Sequence, residues 1–250
     1  MTRYLKVLGL ALVASLALSA IAASAASGAS ALFTANVAAG ETAKIHGEQS
    51  VETGDIDKVA SISLQCMTVT FTGAAITQGP SSTYVKVTPT YDNCHAIVPV
   101  IGTKTVTVTV NSCTYTFNAT KNTNSAAAPA PTPGVATAFS ADVHITCNAG
   151  DGIEIHIYNT AAASDAGKTV FCTYKIDPQT VANQIQLTNE PGLPTDILAH
   201  IHENVSTTVI AGGSGGSLCG SGTVNTVYEG TDTLTATNEA GTVSVNTSVS

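Results

Sequence analysis

The stretch Cys94-His-Ala-Ile-Val-Pro-Val-Ile-Gly-Thr-Lys-Thr-Val-Thr-Val-Thr-Val-Asn-Ser-Cys-Thr-Tyr-Thr-Phe117 decides the fold class. Within it Val106, Val108 and Val110 alternate with Thr105, Thr107 and Thr109. A period of two places the valines on one face of a strand and the threonines on the other, so the run reads as a half-buried β-strand. Its ending, Cys113-Thr-Tyr-Thr-Phe117, recurs as Cys172-Thr-Tyr-Lys-Ile176. One strand pattern therefore serves both halves of the chain.

Outward from this stretch the same signature repeats. Strands are expected at 33–37, 59–72, 84–91 (bent or at an edge because of Pro89), 143–147, 153–158, 170–176, 185–187, 196–205, 224–229, 234–237 and 242–249. Asn148-Ala-Gly-Asp-Gly152 reads as a hairpin turn between two of them, Asp177–Ala182 as one helical turn, and Gly212–Gly222 as a flexible glycine/serine loop pinned by a bridge at Cys219. No sustained 3.6-residue apolar repeat occurs, so helix content is expected to be low. Charged residues are only 10% of the chain and tryptophan is absent, which suits threonine-rich strands.

The first residues are read separately. Arg3 and Lys6 precede an uncharged apolar run from Val7 to Ala22, and Ala23-Ser-Ala25 offers a cleavage site. Residues 1–25 are thus expected to be a cleaved signal peptide. No cysteine follows the run to carry a lipid, and no later stretch is apolar and long enough to span a bilayer as a helix, so a released protein is expected. Losing Arg3 and Lys6 with the leader leaves seven basic against seventeen acidic side chains, a net charge of −10. That excludes nucleic acid and anionic membranes as partners held by counterion release.

Residues 118–134, rich in Pro and Ala, read as a linker or long loop between an N-terminal β half (26–117) and a C-terminal β half (135–250). The six cysteines fall three on each side: Cys66, Cys94 and Cys113, then Cys147, Cys172 and Cys219. None forms a C-x-x-C pair, so three disulfides are expected in an exported chain. Fifteen pairings are possible. Stapling of sequence neighbours favours Cys94–Cys113 and Cys147–Cys172, with Cys66–Cys219 tying the halves. Whatever the pairing, an odd count on each side requires a bridge across the divide. The expected fold is an all-β, disulfide-stapled antiparallel β-sandwich, two sandwich-like halves packed together.

Candidate chemistry is sparse. His200-Ile-His202-Glu203 would place two imidazoles on one strand face, where they could hold zinc or copper with His144 or His156 as a third ligand; the alternative is two solvated histidines. Glu154, Glu203, Glu229 and Asp232 are possible members of an acid pair, but no local pattern selects two. Gly212-Gly-Ser214-Gly-Gly216 matches the G-x-S-x-G elbow only formally, since all six histidines precede Ser214. Acidic residues Glu41, Glu48, Glu52, Asp55 and Asp57 around His46 read as a solvated loop, with a calcium site as the weaker alternative. Asn118, Asn204 and Asn246 begin N-x-S/T sequons. No cofactor motif is present, and no cofactor is expected.

The leader M-x-x-x-L-K-V-L-G-L-A-L-V-A-S-L, the segment V-T-P-T-Y-x-x-C ending at Cys94 and the segment N-x-C-T-Y-T-F around Cys113 resemble uncharacterised exported proteins of high-GC Gram-positive bacteria. The resemblance implies export and no particular activity. The expected function is that of a secreted, non-catalytic structural or binding protein of the extracellular space or cell surface, possible partners being a glycan, a protein or a second copy. A metal-binding protein or hydrolase using His200 and His202 is the rival.

Overall fold

The computed structural model describes residues 31–35, 37, 42–49, 55–59, 61–74, 81–120, 138–159, 169–189, 196–211, 213–238, 244–245 and 247–249. The leader, Glu41, Glu52, residues 121–137 and Asn246 lie outside them. The architecture is all-β and antiparallel, with one short 3₁₀ segment, Gly213–Cys219, among the described residues.

Four long strands frame it: β4 (Ile62–Ala74), β6 (Tyr84–Val98), β13 (Ile197–Ala211) and β14 (Thr223–Thr237). At 15 residues, each of the last three is about 50 Å long at roughly 3.3 Å per residue. Shorter strands fill the spaces between them: β2 (Lys44–Gln49), β3 (Asp55–Val59), β7 (Gly102–Thr109), β8 (Thr114–Thr120), β9 (Ala138–Thr146), β10 (Ile153–Tyr158), β11 (Val170–Ile176) and β12 (Gln179–Asn189). β7 and β8 both pair with β6, His95 opposite Thr105 and Val87 opposite Tyr115. β10 pairs with β7, and β9 with β8. β11 pairs with β10, and β12 with β9, and both then meet β13.

The pairings close into a ring at each end of the long strands. One ring runs β14–β2–β4–β6–β8–β9–β12–β13 and back to β14; the other runs β14–β3–β4–β6–β7–β10–β11–β13. The two facing walls of the sandwich are therefore parts of one sheet that closes on itself in sequential, up-and-down order. Closure pairs strand edges that an open sandwich would expose. A small second sheet, β16 (Thr247–Val249), β1 (Phe33–Ala35) and β5 (Ser81–Ser82), packs against β12 and β13. A two-residue strand, β15 (Ser244–Val245), adds to β14.

The period-two pattern explains the wall. Ile153, Ile155 and Ile157 are buried, as are Ala141, Val143 and Ile145, while Thr105, His144, His156 and Thr173 point outward. Residues on both sides of 121–137 enter the same ladder, and Asn118–Thr120 complete β8.

Several local expectations are corrected. The 143–147 and 153–158 strands do not form a hairpin with each other. β9 and β10 instead follow one another along the wall, and Asn148–Gly152 is an excursion between them. Matching interruptions separate β7 from β8 and β11 from β12. The first two are tied together: Ser112 donates to Asp151 at 2.6 Å, the Asn148 amide to Ser112 at 2.8 Å, and Asn111 to the Gly152 carbonyl at 2.8 Å. Asp177–Ala182 is not helical, since β12 starts at Gln179. His46 and Glu48 lie on β2 and not in a loop, because their strand is needed to close the ring. Pro89 sits inside β6, where residues 88–94 are paired to β4 alone, so the edge is local.

All six cysteines are bridged, but not as stapling of sequence neighbours predicts. The pairs are Cys66–Cys94, Cys113–Cys147 and Cys172–Cys219. Register is the reason. Cys66 stands directly opposite Cys94 across β4–β6, with Cα atoms 3.9 Å apart. In the β6–β7 hairpin the residue level with Cys94 is Val106, whereas Cys113, just before β8, comes level with Pro89 by the β6–β8 register, five residues or about 17 Å away along β6. Cys113 and Cys147 each lie one step beyond the Thr114–Thr146 pair, and their bridge crosses the central divide.

Candidate functional site

Inside the closed sheet, near the level of the strand interruptions, is a cavity of about 40 Å³. Drug-sized ligands occupy pockets of roughly 300–1,000 Å³, so this space is far too small for one. Most of its lining is aliphatic, from Leu64 on β4 through Ile155 on β10 to Ile201 on β13. Into it also come Glu203, Thr226, Tyr91, Tyr115 and Tyr228.

Alternation places these polar groups. Along β13, Ile201, Glu203, Val205 and Thr207 share the inner face and are all buried, Glu203 at 7% exposure. Glu203 stands directly opposite Tyr228 across the β13–β14 ladder. Thr226 donates its hydroxyl proton to Thr207 at 2.7 Å. The Tyr91 and Tyr115 hydroxyls are 2.9 Å apart and share a hydrogen bond. Phe71 and Phe117 flank Tyr115, with ring centroids 6.5 and 6.4 Å away. Tyr91 and Tyr115 each lie close to a cysteine in the quoted V-T-P-T-Y-x-x-C and N-x-C-T-Y-T-F segments, but neither segment marks them as facing one cavity. Glu203 is recognisable in principle: if His200 and His202 face water, the odd-numbered residue between Ile201 and Val205 must face the core.

His200 and His202 lie on the outer face, as their spacing requires, each engaged by the residue opposite on β14. His200 Nδ1 is 3.3 Å from the Thr231 hydroxyl, and His202 Nδ1 is 3.1 Å from the Glu229 carboxylate. Partial burial lowers the His200 pKa from its ordinary value. His144 bonds Thr180 on β12, and His156 lies 3.3 Å from Glu154 on β10. Among the described residues no group of three or more His, Cys, Asp and Glu is placed to hold a metal.

The candidate acids are split by the wall. Glu154 and Glu229 are outside and partly exposed, whereas Glu203 and Asp232 are inside and buried. The inner two are offset by four residues along the β14 register, about 13 Å. Paired glycosidase carboxylates sit roughly 5–9.5 Å apart.

Ser214 follows β13 but lies within a 3₁₀ segment and not ahead of an α-helix, and its hydroxyl donates to the Val170 carbonyl at 3.4 Å. Two of the glycines around it, Gly213 and Gly215, have a packing reason. A Cβ on Gly213, whose φ is +37°, would fall 2.3 Å from the Val170 carbonyl oxygen, and one on Gly215 would fall 2.5 Å from Cys219 Sγ. The tract lies tight against β11, and Tyr174 donates to the Cys219 carbonyl at 3.1 Å. Cys219 itself is fully buried and bridged to Cys172, so the segment is pinned as expected, with Gly215 and Cys219 packed and the residues between them exposed.

No protein-family model, curated protein or solved structure matches this chain.

Proposed function

We propose that this is an exported, non-catalytic protein that acts outside the cell, free or associated with the wall, as a structural or binding module. The observation that carries the reading is the set of three disulfides, with every described cysteine bridged and none free. Such bridges persist in oxidising compartments, and each contributes about 2–4 kcal/mol by restricting the unfolded chain. The leader, the resemblance to exported proteins and the low-charge, threonine-rich outer faces support the same reading. The outward faces are polar and the interior apolar, the reverse of a barrel that meets lipid.

The rival, metal binding or hydrolysis at the outer face, draws support from His200, His202 and Glu229 lying side by side across β13–β14. Intact mass and elemental analysis of the exported protein, before and after reduction, separate the two. The first reading expects a gain of six hydrogens on reduction, bridged peptides matching the three pairs above, and no stoichiometric transition metal. Free thiols would sink it. Bound metal lost on changing His200 and His202 to Ala would establish the rival.

A further inference from the structure

We propose that one end of the closed sheet, led by the β6–β7 turn, docks reversibly on an uncharged lipid surface. This goes beyond the preceding reading and does not depend on it.

Register defines that end. β6 stops at Val98 and β7 starts at Gly102, with Pro99, Val100 and Ile101 between them. Ser63 stands opposite Ile97, Ile157 opposite Val106, Thr173 opposite Ala211 and Thr223 opposite Thr208. The start of β4, the ends of β10 and β11 that face each other, and the β13–β14 connection therefore come to the same end as the β6–β7 turn. Seven large hydrophobic side chains are exposed among the described residues, and five of them are here: Ile97, Val100, Ile101, Ile210 and Leu218. Exposed apolar side chains gathered in this way mark a contact site.

Val100 points the same way. Its φ is +70°, in the left-handed region where a β-branched residue is a genuine outlier. The other non-glycine residues with positive φ, among the described ones, are Asn93 and Asn111, a type that accepts it. Val100 is also fully exposed, so its side chain gives the folded chain nothing in return. Strain held at an exposed apolar tip directs attention to a contact outside the chain.

Charge and size select the occupant. Residues 61–63, 97–103, 169–171 and 209–225 carry no charged side chain, in a chain with seventeen acidic ones. Lys104, the first cation inward of the turn, is buried and donates to the Asn159 carbonyl. No carboxylate in these stretches has to lose its water as the end enters a headgroup layer. The excess of acidic over basic side chains disfavours anionic lipid. Five exposed apolar side chains fall well short of the roughly 20–30 residues a side that a stable protein–protein interface uses. A lipid surface needs no matching partner face, and apolar side chains enter its outer ~5–10 Å.

The test is flotation of the exported, oxidised protein with phosphatidylcholine vesicles at low and high salt, scored as a partition coefficient. Lipid-dependent flotation that persists at high salt is expected. Val100→Asp and Ile101→Asp should each lower the coefficient at least tenfold, whereas Met67→Ser, at an exposed apolar position elsewhere on β4, should leave it within twofold. Val100→Gly should raise the denaturation midpoint and yet lower the coefficient, a split that a purely structural turn would not show. No lipid-dependent flotation, flotation abolished by salt, full binding by folded Val100→Asp, or an equal loss with Met67→Ser would overturn the proposal. Self-association without lipid that the Asp substitutions abolish, read by light scattering, would assign this end to a second copy and also overturn it. If the Asp variants do not fold, Val100→Gly decides it.

Discussion

Tyr174 is the largest of the fully buried side chains among the described residues, and its hydroxyl donates to the Cys219 carbonyl beside the Cys172–Cys219 bridge. Replacing it with Phe removes the donor and leaves the ring. Loss of a hydrogen bond at a buried acceptor costs about 1–3 kcal/mol. For a domain of this size that lowers the melting temperature by roughly 2–4 °C per kcal/mol. Alkaline pH gives a sharper signature. Burial pushes the Tyr174 pKa up to about 12 from an ordinary value near 10. A raised folded-state pKa means the folded chain keeps the proton that the unfolded chain gives up. The stability associated with Tyr174 is therefore fully present below pH 10 and is lost progressively as pH rises toward 12. Each tenfold difference in proton affinity between the folded and unfolded chain is worth about 1.4 kcal/mol, so the loss is of order 3 kcal/mol at its limit. Denaturant unfolding of the oxidised protein at steps from pH 8 to 11 measures it. Tyr174→Phe should start less stable and then decline less steeply, so the two curves converge with rising pH. Curves that stay parallel throughout would refute the assignment of the alkaline loss to this hydroxyl.

Two further substitutions test the packing. Gly215→Ala should destabilise by several kcal/mol and make the Cys172–Cys219 bridge easier to reduce, since the new methyl falls on Cys219 Sγ and 2.8 Å from the Phe171 carbonyl; unaltered denaturation and reduction rates would show that the 3₁₀ segment does not lie so close to β11. Val100→Gly should act in the opposite sense. Val100 has φ +70° at a fully exposed position in the turn that ends with the Ile101 amide bonded to the Val98 carbonyl. Glycine relieves strain of about 1–3 kcal/mol against a smaller entropy cost in the unfolded chain, and the midpoint should rise; a fall in the midpoint would refute the strain argument.

Much of this protein is legible in the order of residues alone. Alternation in Val106–Val110, Ile153–Ile157 and the His200–Glu203 strand fixes which side chains face the core, because side chains on a strand alternate whatever the strand pairs with. The count of three cysteines on each side of the Pro/Ala segment requires a bridge across it, and Cys113–Cys147 supplies that bridge. What alternation cannot carry is register and neighbour identity, since these depend on strands brought together from far apart in sequence. Hence the disulfide pairs, the continuation of β9 into β10 in place of a hairpin, and the return of β14 to β2 and β3 emerge only from the closed ladder. The cavity is of the same kind. Phe71, Tyr91, Tyr115, Glu203 and Tyr228 carry no common motif, and they share one space because closing the sheet turns every inward face toward the same interior.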